Sequence, residues 1–202
     1  MAGGFVTLQR QCWLFAIGST CFAIATAPGV AERAGPTTAN VLCFVGSWFF
    51  TSAAWIQLVR SRPEGSAEWF AAATQFPGTV LFNVSTGAAV WAHRVVAERG
   101  LVWTPDAAGS VAFLVSGAIA VLALDADVGL WAPKSRDWQA TWINMVGCIA
   151  FGVSALGAFV FKTGAMADPS LANAGTFIGA LCFLVAALMV LPRNSIGGST
   201  NG

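Results

Sequence analysis

Few residues of this chain are of a type that does chemistry, and their spacing brings little of it together. Asp125 and Asp127 stand close in sequence, and paired carboxylates could hold a divalent cation, which wants about six to eight oxygen ligands. They fall at the end of an apolar run and in a loop, so solvated carboxylates are expected there. The single histidine, His93, stands beside Arg94. A lone imidazole without a partner makes neither a metal site nor a catalytic dyad, and an interfacial residue is expected. The cysteines are Cys12, Cys21, Cys43, Cys148 and Cys182, none at Cys-x-x-Cys spacing. All lie in or at the edge of apolar runs, where they read as small packing residues rather than a disulfide framework. No Gly-x-Ser-x-Gly, His-Glu-x-x-His or phosphate loop occurs. No catalytic residue, metal or cofactor is expected, and the chain does not read as an enzyme.

Polar residues inside apolar runs offer a different chemistry, a wet path or interhelical hydrogen bonds. Asn83 stands out, near the middle of its run and one position after a phenylalanine. Gln75, Asn144, Thr51, Ser85, Ser116 and Ser154 are further candidates. Hydrogen bonds between helices in lipid, worth on the order of 1 kcal/mol each, are the simpler expectation for this set. Pro77 could kink its helix between Gln75 and Asn83.

The elements that must position these residues are membrane helices. The chain has 202 residues, 56% hydrophobic and 9% charged, against roughly 25% charged in ordinary soluble domains. Six uncharged stretches reach the minimum of about 18 residues that a bilayer core about 30 Å thick requires. They predict helices over 11–31, 36–59, 69–92, 104–124, 138–161 and 169–192. The expected fold is all-α: a single six-transmembrane-helix domain over 11–193, after an N-terminal tail (1–10) and before a flexible glycine-rich tail (194–202). The first stretch, with Arg10 before it and Ala25-Thr26-Ala27 near its end, is like a signal peptide. Pro28 directly after the cut is a poor position for processing, so retention is expected.

One short pattern recurs in all six stretches: Gly, a small residue, two free positions, Phe, two free positions, two small residues. The pairs are Gly18 and Phe22, Gly46 and Phe50, Gly78 and Phe82, Gly109 and Phe113, Gly147 and Phe151, Gly179 and Phe183. Offsets of four and seven lie on one helix face. In lipid, helices associate by close packing, which needs small residues. Glycine supplies a groove and phenylalanine a ridge. A larger unit also recurs: Glu68-Trp69 precede Gly78 as Asp137-Trp138 precede Gly147, and Gln75 and Asn144 hold matching places. The expected unit is a helical hairpin used three times, as parallel repeats.

With six spans, Arg10, Arg60, Arg62, Lys134, Arg136 and Arg193 fall on one side, and Arg33, Arg94, Arg99 and Lys162 on the other. The excess of positive charge predicts both termini in the cytoplasm. Most tryptophans lie near run ends, as interfacial belts do; Trp48 is the exception. A net charge of +1 without a basic patch argues against a nucleic-acid partner.

Three segments, ANVLCFVGSWFFTSAAWIQL, FPGTVLFNVSTGAAV and NMVGCIAFGVSALGAF, resemble the YrhK-like domain family of small bacterial membrane proteins, which carries a Gly-Ser-x-x-Phe type core in paired membrane helices. The resemblance spans about residues 38–192; this chain departs from it in having three hairpins rather than one. It implies a bacterial inner-membrane location. It carries over no site residues, because the family has no established activity. Rich in packing signals and poor in chemistry, the sequence reads first as a non-enzymatic accessory or scaffold protein. Its expected partners are membrane lipid and another protein or a second copy. The alternative is a small transporter or channel for a neutral or weakly polar solute.

Overall fold

The computed structural model describes residues 6–92, 94–129 and 131–192. His93, Arg193 and the tail 194–202 lie outside the described residues, as do the side chains of Asp125 and Asp127. Among the described residues the fold is helical, with one isolated β-bridge between Val160 and Met166. Six long helices build it: α1 (Leu8–Thr26), α2 (Pro36–Arg60), α3 (Ala67–Trp91), α4 (Thr104–Val128), α5 (Arg136–Gly157) and α6 (Pro169–Val190).

Local chemistry sets the helix starts. Side chains accept a hydrogen bond from the backbone N–H three residues on: Thr7 from Arg10, Ser66 from Trp69, Ser135 from Trp138 and Asp168 from Leu171. Such caps satisfy donors that the first helical turn leaves free. They also explain the recurrent acid–Trp pairs, which follow Ser66 and Ser135 as second and third residues of their helices. Pro36 and Pro169 sit at first helical positions, where no N–H is needed.

Three helices differ from expectation at their boundaries. α1 starts earlier, at its Thr7 cap, and stops at Thr26 rather than 31, because Pro28 and Gly29 (φ +78°) follow. α5 stops at Gly157 rather than 161. Residues 158–167 fold back on themselves instead. The Phe161 N–H donates to the Ala165 carbonyl (2.8 Å) and the Ala167 N–H to the Phe159 carbonyl (2.8 Å), around Gly164 at φ +87°. α4 runs past the predicted 124 to Val128. It continues a helical stretch from Val95 through a π turn over Glu98–Trp103.

Among the described residues, four helical stretches are long and apolar enough to cross a membrane: Pro36–Arg60, Val95–Leu124, Arg136–Gly157 and Pro169–Val190. They mark the chain as a membrane protein. α1 and α3, expected to be spans as well, do not reach that apolarity. The reason is that an uncharged stretch is not the same as an apolar one. α3 carries Gln75, Asn83 and four Ser or Thr residues, and α1 opens with Gln9, Arg10 and Gln11.

The helices close into a ring. Each packs on its neighbours in sequence, and α6 packs on α1. Seams run antiparallel: in α1–α2, a Cβ on Gly18 would lie 2.6 Å from the Phe50 ring, and one on Gly46 would lie 3.3 Å from Phe22. The same exchange joins Gly78 to Phe113 and Gly109 to Phe82, then Gly147 to Phe183 and Gly179 to Phe151. All six rings are thereby turned inward and are 3–6% exposed. They form one aromatic cluster at mid-height, with centroids 5.0 Å apart for Phe82–Phe113 and 5.3 Å for the stacked Phe151–Phe183. The outer face is the inverse. Ile17, Val45, Trp48, Val111, Ile149 and Val185 are exposed there, a distribution suited to lipid contact.

Candidate functional site

The ring is solid at mid-height and hollow towards both ends. The hollow at the amino-terminal end has a volume of about 250 Å³. Its floor includes Phe50 and Phe183, and its walls carry Gln11, Gln57, Gln75, Asn144, Thr141 and Ser116. Asp137, exposed at the helix start, stands at its edge. Gln11 is 9% exposed, and its Oε1 accepts a hydrogen bond from Arg60 at 2.8 Å. The carboxamide nitrogen of Gln11 is left to face other partners. Each carboxamide both donates and accepts, so this wall suits a neutral polar solute or water.

The hollow at the opposite end is larger, about 580 Å³. Phe22, Phe82 and Phe151 lie at its base, and Asn40, Ser85, Thr86, Ser154 and Thr176 line its sides. Two carboxylates, Glu98 and Asp106, also line it. Glu98 opens the π turn and Asp106 stands in the first turn of α4, eight residues on, a spacing that keeps both on one side of a helix. The Thr104 hydroxyl marks the altered register by donating to the carbonyl of Arg99, five residues back, at 2.7 Å. The fold-back after α5 covers part of this hollow with Val160, Gly164 and Met166. It is anchored through Trp103, whose indole N–H donates to the Ala155 carbonyl at 2.9 Å and whose ring meets Phe159 at 4.9 Å. Arg99 lies 5.6 Å from the centre of the Phe159 ring.

Between the hollows, Phe22, Phe50, Phe82, Phe113 and Phe151 close around a void of about 10 Å³ with Ser47 and Thr79. That is about the least volume that can hold one water. Ser19, Ser47, Thr79 and Ser110, each directly after a motif glycine, are at most 2% exposed. The seal is thus made of rings and small hydroxyls.

The candidate polar residues separate into three places. Gln75, Asn144 and Ser116 line the smaller hollow, and Ser85 and Ser154 the larger. Asn83 and Thr51, by contrast, line neither. The Asn83 Oδ1 and Thr51 Oγ1 atoms are buried without a hydrogen-bond partner among the described residues, on helices whose seam holds the Thr86–Ser47 hydroxyl pair (3.1 Å). Asn83 follows a motif phenylalanine, and that one step turns it off the inward face. Ser116 and Ser154 also serve packing. Ser116 donates to the Ala71 carbonyl (2.8 Å), while Ser154 donates to the Ala172 carbonyl (2.7 Å) and pairs with Thr176 (2.7 Å). All five cysteines are free thiols; Cys12 lines the smaller hollow and Cys43 the larger.

Glu98, Asp106, Gln11 and Gln57 were not among the sequence candidates. Glu98 and Asp106 lie outside the uncharged stretches from which the helices were predicted. The missed signal is Val95–Trp103, apolar apart from Glu98, Arg99 and Gly100, which extends the fourth helix backwards by two turns. No protein-family model, curated protein or solved structure matches this chain.

Proposed function

We propose that this chain is a six-span integral membrane protein that conducts a small solute along the axis of its helix ring. The observation that carries this reading is the pair of polar-walled hollows entering from opposite ends and sharing one aromatic layer as their floor. A bundle shaped only to dock a partner would gain by filling that volume, since a packed interior holds few voids larger than a water molecule. The hollows instead keep carboxamides, hydroxyls and carboxylates along the axis. The Phe layer is the closed point of the path, and a change of ring rotamers there would join the two ends.

In this reading the spans include α1 and α3, whose polar residues are the wall of the path. The ring consists of three duplicated hairpins, supported by the repeated exchange of Phe for Gly across α1–α2, α3–α4 and α5–α6. Both termini lie on the cytoplasmic side of a bacterial inner membrane, as the loop charges favour. The solute passes through without a chemical step.

The test is flux through the full chain in proteoliposomes, with glycerol and tetraethylammonium as solutes. At least one should equilibrate faster than across protein-free vesicles, and Phe151→Ala should raise its rate. If neither solute moves faster in the native protein or in Phe151→Ala, the path reading is wrong.

A further inference from the structure

We infer that the larger hollow is a binding site for a small organic cation, an alkylammonium rather than a neutral solute or a bare metal ion. The inference rests on the path reading for its biological sense, but the site can be tested by binding alone. Four observations converge on this ligand chemistry.

First, Glu98 and Asp106 both line the hollow, and no Lys, Arg or His among the described residues lines it. Arg99, next to Glu98, is turned to the Phe159 ring. Second, neither carboxylate has a hydrogen-bond or ion-pair partner among the described residues. Asp106 and Glu98 are both partly buried, and both line the hollow. A carboxylate taken out of water without a counter-charge is costly, and a cation in the hollow supplies one.

Third, the hollow has aromatic faces. Phe22, Phe82 and Phe151 form its base and Trp103 stands in its wall. Ring faces attract ammonium groups, which is how aromatic cages hold quaternary nitrogen. A neutral solute gains nothing comparable from rings and unpaired carboxylates together. Fourth, the volume of about 580 Å³ suits an organic ligand, for which pockets run from about 300 to 1,000 Å³. A bare metal ion would want several converging ligands, and no group of three His, Cys, Asp or Glu residues able to hold one occurs among the described residues. The hydroxyls of Ser85, Thr86 and Thr176 complete the lining as acceptors for any N–H the ligand carries.

The experiment is isothermal titration calorimetry of the full chain in lipid nanodiscs. The probe is tetraethylammonium chloride, with potassium chloride and glycerol titrated separately. Tetraethylammonium should bind saturably at one site, and equimolar potassium should not displace it. Asp106→Asn and Glu98→Gln should each weaken binding at least tenfold while leaving helical circular dichroism unchanged. Should Asp106→Asn fail to fold, Glu98→Gln decides the matter. The inference is overturned if tetraethylammonium does not bind, if potassium displaces it, or if a folded carboxylate variant binds as the native chain does. Glycerol flux without tetraethylammonium binding would remove the cation site and leave the path. Saturable binding with no flux of either solute would do the reverse.

Discussion

The middle of the ring and its two ends are built from the same helices by opposite rules. At mid-height a Cβ on Gly18 would meet the Gly46 carbonyl at 2.8 Å and the Phe50 ring at 2.6 Å. At one end Gly100 has nothing within 4 Å. The middle excludes everything, with rings set against backbone; the ends leave room and line it with polar groups. In lipid the middle must carry the packing, because apolar residues gain nothing by leaving lipid for one another. The ends can then afford hollows. That division predicts that variants of the middle lose stability, and that variants of the ends change what enters.

Phe151→Ala should break the comparison most severely. Its ring meets those of Phe22, Phe82, Phe113 and Phe183 at 6.2, 5.8, 6.4 and 5.3 Å. Truncation should cost about 3–5 kcal/mol through lost contacts and a cavity. It should also enlarge the small void into a passage. Reversible unfolding in mixed micelles measures the first effect and vesicle flux the second. A stability loss under about 1 kcal/mol would mean that the aromatic layer is not the centre of the packing.

Gly18→Ala comes next. Alanine favours a helix over glycine by about 1 kcal/mol, so propensity alone would raise stability. The contacts at 2.6 and 2.8 Å oppose it, and one partner is backbone that cannot turn aside. A net loss of about 1–3 kcal/mol is expected, the usual range for overpacking. Gly100→Ala has open space and should change stability by less than about 1 kcal/mol in either direction. Equal effects at the two glycines would erase the distinction between middle and end.

What was legible in the sequence follows the same division. The Gly–Phe spacing is a helix-face pattern, so the shared face of each Gly and Phe could be read without coordinates; that all six faces turn inward could not, because the same pattern would serve a contact between copies. The ends were harder. A lack of charge does not separate the apolar α6 from α3, which carries carboxamides and hydroxyls. Glu98 and Asp106 stand outside the uncharged stretches, so a reading built on those stretches passes over them. Asn83 drew attention by its chemistry, although its offset from Gly78 turns it off the inward face. Gln75 and Asn144, at matching places before Gly78 and Gly147, were the better pointer, and they meet in one hollow.

The smallest effect gives the sharpest comparison. Ser116 and Ser154 occupy matching places, each seven residues after its motif glycine. Each bonds to a carbonyl seven residues before the partner helix's glycine, Ala71 before Gly78 and Ala172 before Gly179. Ser154 has in addition the Thr176 hydroxyl. Hydrogen bonds between membrane helices average roughly 0.6 kcal/mol in double-mutant cycles. Ser116→Ala should therefore cost roughly 0.6 kcal/mol, and Ser154→Ala about twice that. The carbonyls keep their own helix bonds, so neither variant strands a buried backbone group. A Ser116→Ala loss as large as that of Ser154→Ala, measured in the same micelles, would mean that the two seams are not equivalent. The energy at Ser116 would then come from its place in the wall of the smaller hollow rather than from the seam it closes.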